Sequence, residues 1–153
     1  MHSMSPGAGS CELCTNDGGE LLWRDASCRV VLVDEAEYPG YCRVIWQRHV
    51  AEMSDLDFGE RSHLMRVVFE VEVALRDWLR PHKVNLASLG NLVPHLHWHV
   101  IPRFRDDPHF PNPIWGARAR QPAARNPDLA TGKRLLAARL AKLTASQVAG
   151  SKT

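Results

Sequence analysis

The sequence lacks any apolar run approaching the roughly 20 residues that cross a bilayer, and its start, Met1 to Cys14, has no apolar core like that of a secretory leader. Both absences lead to the expectation of a soluble, cytoplasmic protein with no membrane partner. Aromatic residues are scarce, at 7%, and none is interleaved with the basic residues of the C-terminal tail, so nucleic acid is not an expected partner. A phosphate-binding glycine loop is missing too. Gly132-Lys133 has Pro127 where such a loop needs its first glycine, and no Ser or Thr follows the lysine. There is no internal repeat. Cysteines number only 4, and in a reducing compartment Cys11, Cys14, Cys28 and Cys42 stay thiols, so a close pair among them points to metal or chemistry before a disulfide.

What is present suits one ordinary domain: 153 residues, 44% hydrophobic and 24% charged. At this length about 70% of the unfolded chain's surface can be buried, so the fold needs no metal to exist. The net charge of +2 hides an asymmetry. From Gly116 onward there are 8 Lys or Arg against 1 acidic residue, Asp128, which leaves 11 basic against 16 acidic residues in 1–115. The basic tail reads as a solvated helix face before a phosphate-binding one.

Residues 1–10, small and polar with Pro6, Gly7 and Gly9, read as a flexible lead-in. Two β-rich runs, Cys28–Val33 and Tyr41–Trp46, flank a turn-forming stretch and predict an antiparallel pair, preceded by a short strand at Glu20–Arg24. Ser54, with Asp57 three residues on, resembles a helix N-cap. Leu64, Val67, Val68, Val71, Leu75, Trp78 and Leu79 follow at helical spacing up to Pro81, with Met65 and Phe69 as further core residues. Val84–Ser88 and Leu92–Arg103 read as strands joined by a turn at Leu89–Asn91. Five prolines between Asp106 and Pro127 imply a loop, and Leu135, Leu136, Leu140 and Leu143 stripe a terminal helix at Thr131–Gln147.

The informative segment is His95-Leu-His-Trp-His-Val-Ile101. Side chains alternate along a strand, so His95, His97 and His99 share one face, about 6.6 Å apart, while Leu96, Trp98 and Val100 take the other. Three imidazoles in a row have no packing rationale, and two chemistries suit them. They ligate a catalytic Zn²⁺, or one neutral imidazole attacks phosphorus while its neighbours fix the tautomer and bind phosphate oxygens. Gly90 and Asn91 favour the second, since backbone N–H groups and an amide there can reach a phosphate.

These residues resemble the histidine triad (HIT) proteins, nucleotide hydrolases and transferases with the pattern His-φ-His-φ-His-φ-φ, φ being apolar. Val30–Asp34, Pro39-Gly40, Val44-Ile45 and Arg48-His49-Val50 are similar to the opening hairpin of that family. The resemblance implies an α+β fold, an antiparallel sheet of about five strands with one long helix packed on it and a C-terminal helical tail. A HIT domain over 11–115 and a Pro/Arg-rich loop with the C-terminal helix over 116–153 follow.

By resemblance, His97 is the nucleophile and forms a covalent nucleotidyl-imidazole, His99 binds phosphate or helps protonate the leaving group, and His95 is structural or a ligand. Asp34 matches a ribose-binding acidic position and Asn85 an Asn on the strand before the phosphate loop. A homodimer is implied as well. Three departures stand out: Asn91 replaces a Gln, Leu92 replaces a Ser or Thr, and the loop from Asp34 to Pro39 is one residue short. They bear on substrate preference more than on reaction type.

Cys11-Glu-Leu-Cys14 has the spacing of two Zn²⁺ ligands, with two missing locally. Resemblance to zinc-containing family members supplies His49 and His95, giving a structural Zn²⁺ as the expected cofactor, with an unoccupied thiol pair as the alternative. Cys28 and Cys42 read as small hydrophobes in strands. His63 and His82 read as solvent-facing, His109 as a loop residue able to approach the site, and Trp115 as a cap on a base, a dimer contact or a loop anchor. The expected function is cleavage at the α-phosphorus of a dinucleoside polyphosphate or nucleoside phosphoramidate with no catalytic cofactor. A nucleotide-binding or interaction module with little turnover is the alternative.

Overall fold

A computed structural model describes residues 7–150, with side chains to 144. Five strands, β1 Glu20–Arg24, β2 Cys28–Leu32, β3 Cys42–Trp46, β4 Lys83–Ala87 and β5 His97–Arg103, form one antiparallel sheet in the order β1-β2-β3-β5-β4. Among the described residues three α-helices accompany it: α1 Glu12–Thr15, α2 Phe58–Leu79 and α3 Leu129–Gly150. This is the α+β architecture anticipated above.

Alternation along the strands divides the interior into two sides. Cys28, Val30 and Leu32 of β2, Cys42, Val44 and Trp46 of β3, and Val100 of β5 pack against Leu64, Val67, Val68, Val71 and Leu75 of α2 and Leu136, Leu140 and Leu143 of α3. The opposite face carries Val31, Ile45 and the histidines, and is covered by Cys11 and Leu13 of the N-terminal segment. Cys28 and Cys42 are fully buried, and burial pushes both thiols up, Cys42 to about 12, with the Asp25 carboxylate adding to the effect at Cys28.

Helix α2 starts one turn later than Ser54 suggests. Asp57 is its N-cap, in a capping box in which Glu60 N–H donates to Asp57 Oδ1 at 2.8 Å and Asp57 N–H donates to Glu60 Oε2 at 2.9 Å. Ser54 instead lies in the short 3₁₀ turn Met53–Asp55. Met65 packs on the core, but Phe69 is half exposed and Leu135 faces out from α3, each lying at the edge of its apolar stripe. His63 is not solvent-facing: its Nε2 and Asp25 Oδ2 are 2.6 Å apart, tying α2 to the β1–β2 turn. His82 is exposed beside Phe110.

The lead-in forms a 3₁₀ turn at Ala8–Ser10, while residues 1–6 of that expected segment lie outside the described residues. Charge asymmetry finds its explanation in the tail, which pairs with the body. Arg118 meets Glu37, Arg125 meets Asp106, Lys133 meets Glu20, and Arg139 meets Glu70 and Asp77. The proline-rich loop is ordered around a buried pair: Arg103 donates to both carboxylate oxygens of Asp107, at 2.7 and 3.0 Å, and Asp107 also accepts the N–H groups of Phe104, His109 and Phe110. No helix among the described residues is long and apolar enough to cross a membrane.

Candidate active site

Strand β5 begins at His97, five residues later than the pattern predicts, because the chain bends at Asn91–Val93 and again at His95. His97 and His99 therefore share the strand face, whereas His95 sits just before it and turns toward the N-terminal segment. All three rings are buried, and those of His97 and His99 meet edge to face with centroids 4.8 Å apart.

The hydrogen bonds fix how each ring is used. Nε2 of His95 lies 2.6 Å from the carbonyl oxygen of Trp46 and must donate to it, which leaves the Nδ1 lone pair free. Nδ1 of His97 lies 2.5 Å from the carbonyl oxygen of His95, so Nδ1 carries the proton and Nε2 is the free base. The hydroxyl of Tyr41 is 2.5 Å from Nδ1 of His99. Burial, above all, drives His97 down from the ordinary imidazole range, and burial together with His97 and Arg43 brings His99 to about 3. Both rings are neutral at physiological pH.

His97 and His99 open into a pocket of about 390 Å³ whose walls are Glu12 and Leu13 from α1, Arg43 from β3, the loop Leu89–Val93, and Trp115. Gly90, at φ +69°, takes the left-handed conformation that lets this loop curl over the strand ends. Trp115 stands edge-on to His99, with ring centroids 4.9 Å apart. An unprotonated ring nitrogen on a rigid strand, beside neutral donors and one permanent cation, can act as a nucleophile.

Behind the pocket lies a second constellation. Nδ1 of His95 is 3.5 Å from Sγ of Cys11, 3.4 Å from Sγ of Cys14 and 3.3 Å from Nδ1 of His49, and Cys14 Sγ is 3.4 Å from His49 Nδ1. A Zn²⁺ tetrahedron with ordinary Zn–S and Zn–N bonds has ligand-to-ligand edges of about 3.3–3.8 Å. The four donors fit. Burial and the adjacent Cys11 thiol push the Cys14 thiol up, so Cys14 becomes thiolate most readily beside a cation. Asp25, Cys28 and His63 form another cluster, but the 2.6 Å between Asp25 and His63 is a hydrogen bond, too short for two ligands of one metal. Among the described residues, neither cluster includes His97 or His99.

The HIT domain family model matches residues 16–106, and the sheet order and paired histidines just described lie within or beside that span. The chain belongs to the HIT family. Two solved HIT proteins share its fold: one from Bradyrhizobium japonicum, 31% identical with a TM-score of 0.65 over 82% of this chain and 91% of the other, and one from Marinobacter aquaeolei, 26% identical with a TM-score of 0.68 over 83% and 92%. A Zn-bound HIT family protein from Mycobacterium smegmatis, at 24% identity and a TM-score of 0.62, has the same fold over 92% of this chain and 99% of its own. The AP-4-A phosphorylase of Mycobacterium tuberculosis is 33% identical over 86 residues, 52% of this chain and 44% of the relative. The match thus spans less than half of that enzyme.

Of the site residues expected from sequence, this HIT protein brings His97, His99, Gly90 and Asn91 to one pocket and Cys11, Cys14, His49 and His95 to one cluster. Asp34 and Asn85 do not join the pocket lining. Asn85 shares the triad face, paired with Ile101, but its Oδ1 accepts from Arg103 at 2.7 Å. Asp34 is exposed and lines a different hollow with Leu32, Arg125 and Leu129. Strand alternation explains its position. Val33, whose N–H donates to Tyr41 O at 2.8 Å, packs with Tyr38, Tyr41 and Ile101 on the triad side, so Asp34 falls to the other side by alternation.

Glu12, Leu13, Arg43 and Val93 of the pocket, and Tyr41 behind it, were not singled out from sequence. Arg43 and Tyr41 had a signal. They alternate with Cys42 and Val44, and a face opposite the core is where the histidines lie. Glu12 and Leu13 had none beyond being enclosed by the two cysteines, since only the cluster with His49 and His95 folds that segment over the strand. His109 turns away to the Tyr38 hydroxyl at 2.6 Å.

Proposed function

We propose that this HIT protein cleaves nucleotide conjugates, dinucleoside polyphosphates or nucleoside phosphoramidates, at the α-phosphorus through a covalent nucleotidyl-His97 intermediate. The observation that carries the reading is the hydrogen bond from His97 Nδ1 to the His95 carbonyl, which leaves Nε2 unprotonated at the pocket. Its lone pair attacks phosphorus, the bond from phosphorus to the leaving oxygen or nitrogen breaks, and the leaving group departs with the electron pair and takes up a proton. Water then adds its oxygen to phosphorus, the P–N bond to His97 breaks, and the mononucleotide leaves. With Tyr41 donating to Nδ1, His99 carries its proton on Nε2 and serves as a neutral donor to a phosphoryl oxygen.

Cys11, Cys14, His49 and His95 are proposed to hold a structural Zn²⁺, which would supply a rigid tie between the N-terminal segment and the start of β5. The residues that meet the substrate need no metal of their own. A homodimer is supported by the open edge of β4, the last strand of the sheet, and by the half-exposed Phe69 on α2.

The deciding experiment offers a panel of dinucleoside polyphosphates and nucleoside phosphoramidates to the protein and to His97→Asn. Release of a mononucleotide by the wild type, with turnover abolished but nucleotide affinity kept in the variant, is the expected result. Full activity of His97→Asn rejects the mechanism, and binding without release over hours leaves a binding module.

A further inference from the structure

The arginines of this protein differ in how completely they are used. Arg29 is buried and makes four hydrogen bonds, to the carbonyls of Leu13, Asn16 and Asp17 and to the Gln47 amide oxygen. Arg103 is buried and likewise makes four, to Asp107 twice, to Asn85 and to the carbonyl of Asn112. Such saturation is what a structural guanidinium requires, because a buried N–H left unpaired is destabilising. Arg43 is unlike both. Its Nη1 donates to the carbonyl of Gly18 at a long 3.2 Å, and its Nε is buried with no hydrogen-bond partner.

The position of this under-used cation is specific. Arg43 pairs with His99 across the β3–β5 ladder and therefore lies on the triad face, over the Tyr41 ring at 5.8 Å. It lines the pocket from β3, which β5 separates from the β4 end that leads into the Leu89–Val93 loop. Among the described lining residues it is the permanent cation. Donors for the phosphate under attack are available at His99 and at the loop, so a guanidinium one step across the sheet has hydrogen bonds to spare for another anion.

We propose that Arg43 binds a second phosphate group beside the phosphorus attacked by His97. The proposal rests on the nucleotidyl-transfer reading above and adds the class of ligand it works on. Two sources of that phosphate share the chemistry: the next phosphate of a polyphosphate chain in the substrate, or a free inorganic phosphate that takes the place of water. In the second case a phosphate oxygen attacks the nucleotidyl phosphorus, the P–N bond to His97 breaks, and the product is a nucleoside diphosphate.

The test compares wild type, Arg43→Gln and Arg43→Lys, each shown by its melting temperature to be folded. The first arm is the ratio of kcat/KM for diadenosine tetraphosphate over adenosine phosphoramidate. A fall of about 30-fold in Arg43→Gln, partly restored in Arg43→Lys, assigns the chain phosphate as the ligand. In the second arm inorganic phosphate is added to the phosphoramidate reaction. Formation of ADP by the wild type and its loss in Arg43→Gln assigns the free phosphate. A third arm titrates pyrophosphate calorimetrically into each protein, with an expected weakening of about tenfold or more in Arg43→Gln. Absence of pyrophosphate binding by the wild type, equal binding by all three proteins, or an unchanged substrate ratio with unchanged product would overturn the proposal. Should the wild type turn over neither conjugate, the nucleotidyl-transfer reading fails and the pyrophosphate arm still judges Arg43.

Discussion

His95 and His97 are joined through the backbone: the carbonyl of the residue whose ring closes the Cys11, Cys14, His49 cluster accepts the Nδ1 proton of His97 at 2.5 Å. One residue thus belongs to both constellations. Whatever steadies the His95 ring steadies the acceptor that keeps the His97 proton on Nδ1 and Nε2 unprotonated.

Metal content is the first consequence. Protein prepared without chelator should contain about one zinc per chain, and Cys14→Ser should lose it together with at least about 2.7 kcal/mol of stability when free zinc exceeds its dissociation constant a hundredfold. Glu12 and Leu13, which wall the pocket between the two cysteines, should lose their placement at the same time. Elemental analysis and melting curves check this. A Cys14→Ser protein with full zinc and an unchanged melting temperature rules out the site.

The pH profile of turnover follows from the buried rings. His99 lies at about 3 and His97 is lowered by burial, so each takes up its proton below the ordinary imidazole value of about 6.5, His99 far below it. In the mechanism proposed above, protonation removes the lone pair with which His97 attacks, and a lowered value moves that loss to more acidic solution. The acid limb of kcat/KM should therefore be centred below pH 6.5, with metal content confirmed at each point. An acid limb centred at or above 6.5 would contradict it.

Much of this was legible in the sequence, and the remainder was lost for definable reasons. The β-rich runs Cys28–Val33 and Tyr41–Trp46 about a turn-forming stretch and the helical stripe from Leu64 to Leu79 are local signals, and they predicted the antiparallel pair and α2. The start of β5 is tertiary: residues 92–96 carry the strand pattern, but His95 leaves the ladder to bond Trp46 and meet the cysteines. Asp34 is the opposite case: alternation through Val31 and Val33 already sends it to the side away from the triad, and only the family resemblance had assigned it to the site. His63 had a readable signal. It flanks Leu64 and Val67 on the helix, where a ring reaches the adjoining turn.

Acid should weaken the fold through Asp107. Burial by itself raises its carboxyl, but Arg103 and the N–H groups of Phe110, His109 and Phe104 outweigh burial and hold it at about 2. A folded value below the unfolded one of about 3.9 means that the ionised pair stabilises fully above about pH 4, by roughly 2–3 kcal/mol, and is lost as pH falls through about 2. Asp107→Ala, which strands the Arg103 cation, should cost about 3–5 kcal/mol at pH 7. Denaturant titrations at pH 7 and 3 measure both effects. A variant as stable as wild type at pH 7 would show that the loop is held by something else.

The helical tail owes its seat to a missing side chain. A Cβ on Gly132 would come within 2.4 Å of three ring atoms of Trp78, so α3 can lie against α2 there only with glycine. Gly132→Ala gains helix propensity, worth about 1 kcal/mol, but drives a methyl into an aromatic ring flanked by the core. Overpacking of this kind costs about 1–3 kcal/mol. The expected net effect is a lower melting temperature, with Trp78 fluorescence shifted as the ring is displaced. Gly132→Ala in a Trp78→Leu background should be less harmful, because the smaller side chain leaves room for the methyl. A single Gly132→Ala variant that melts higher than wild type would mean that α3 does not pack on Trp78 in solution.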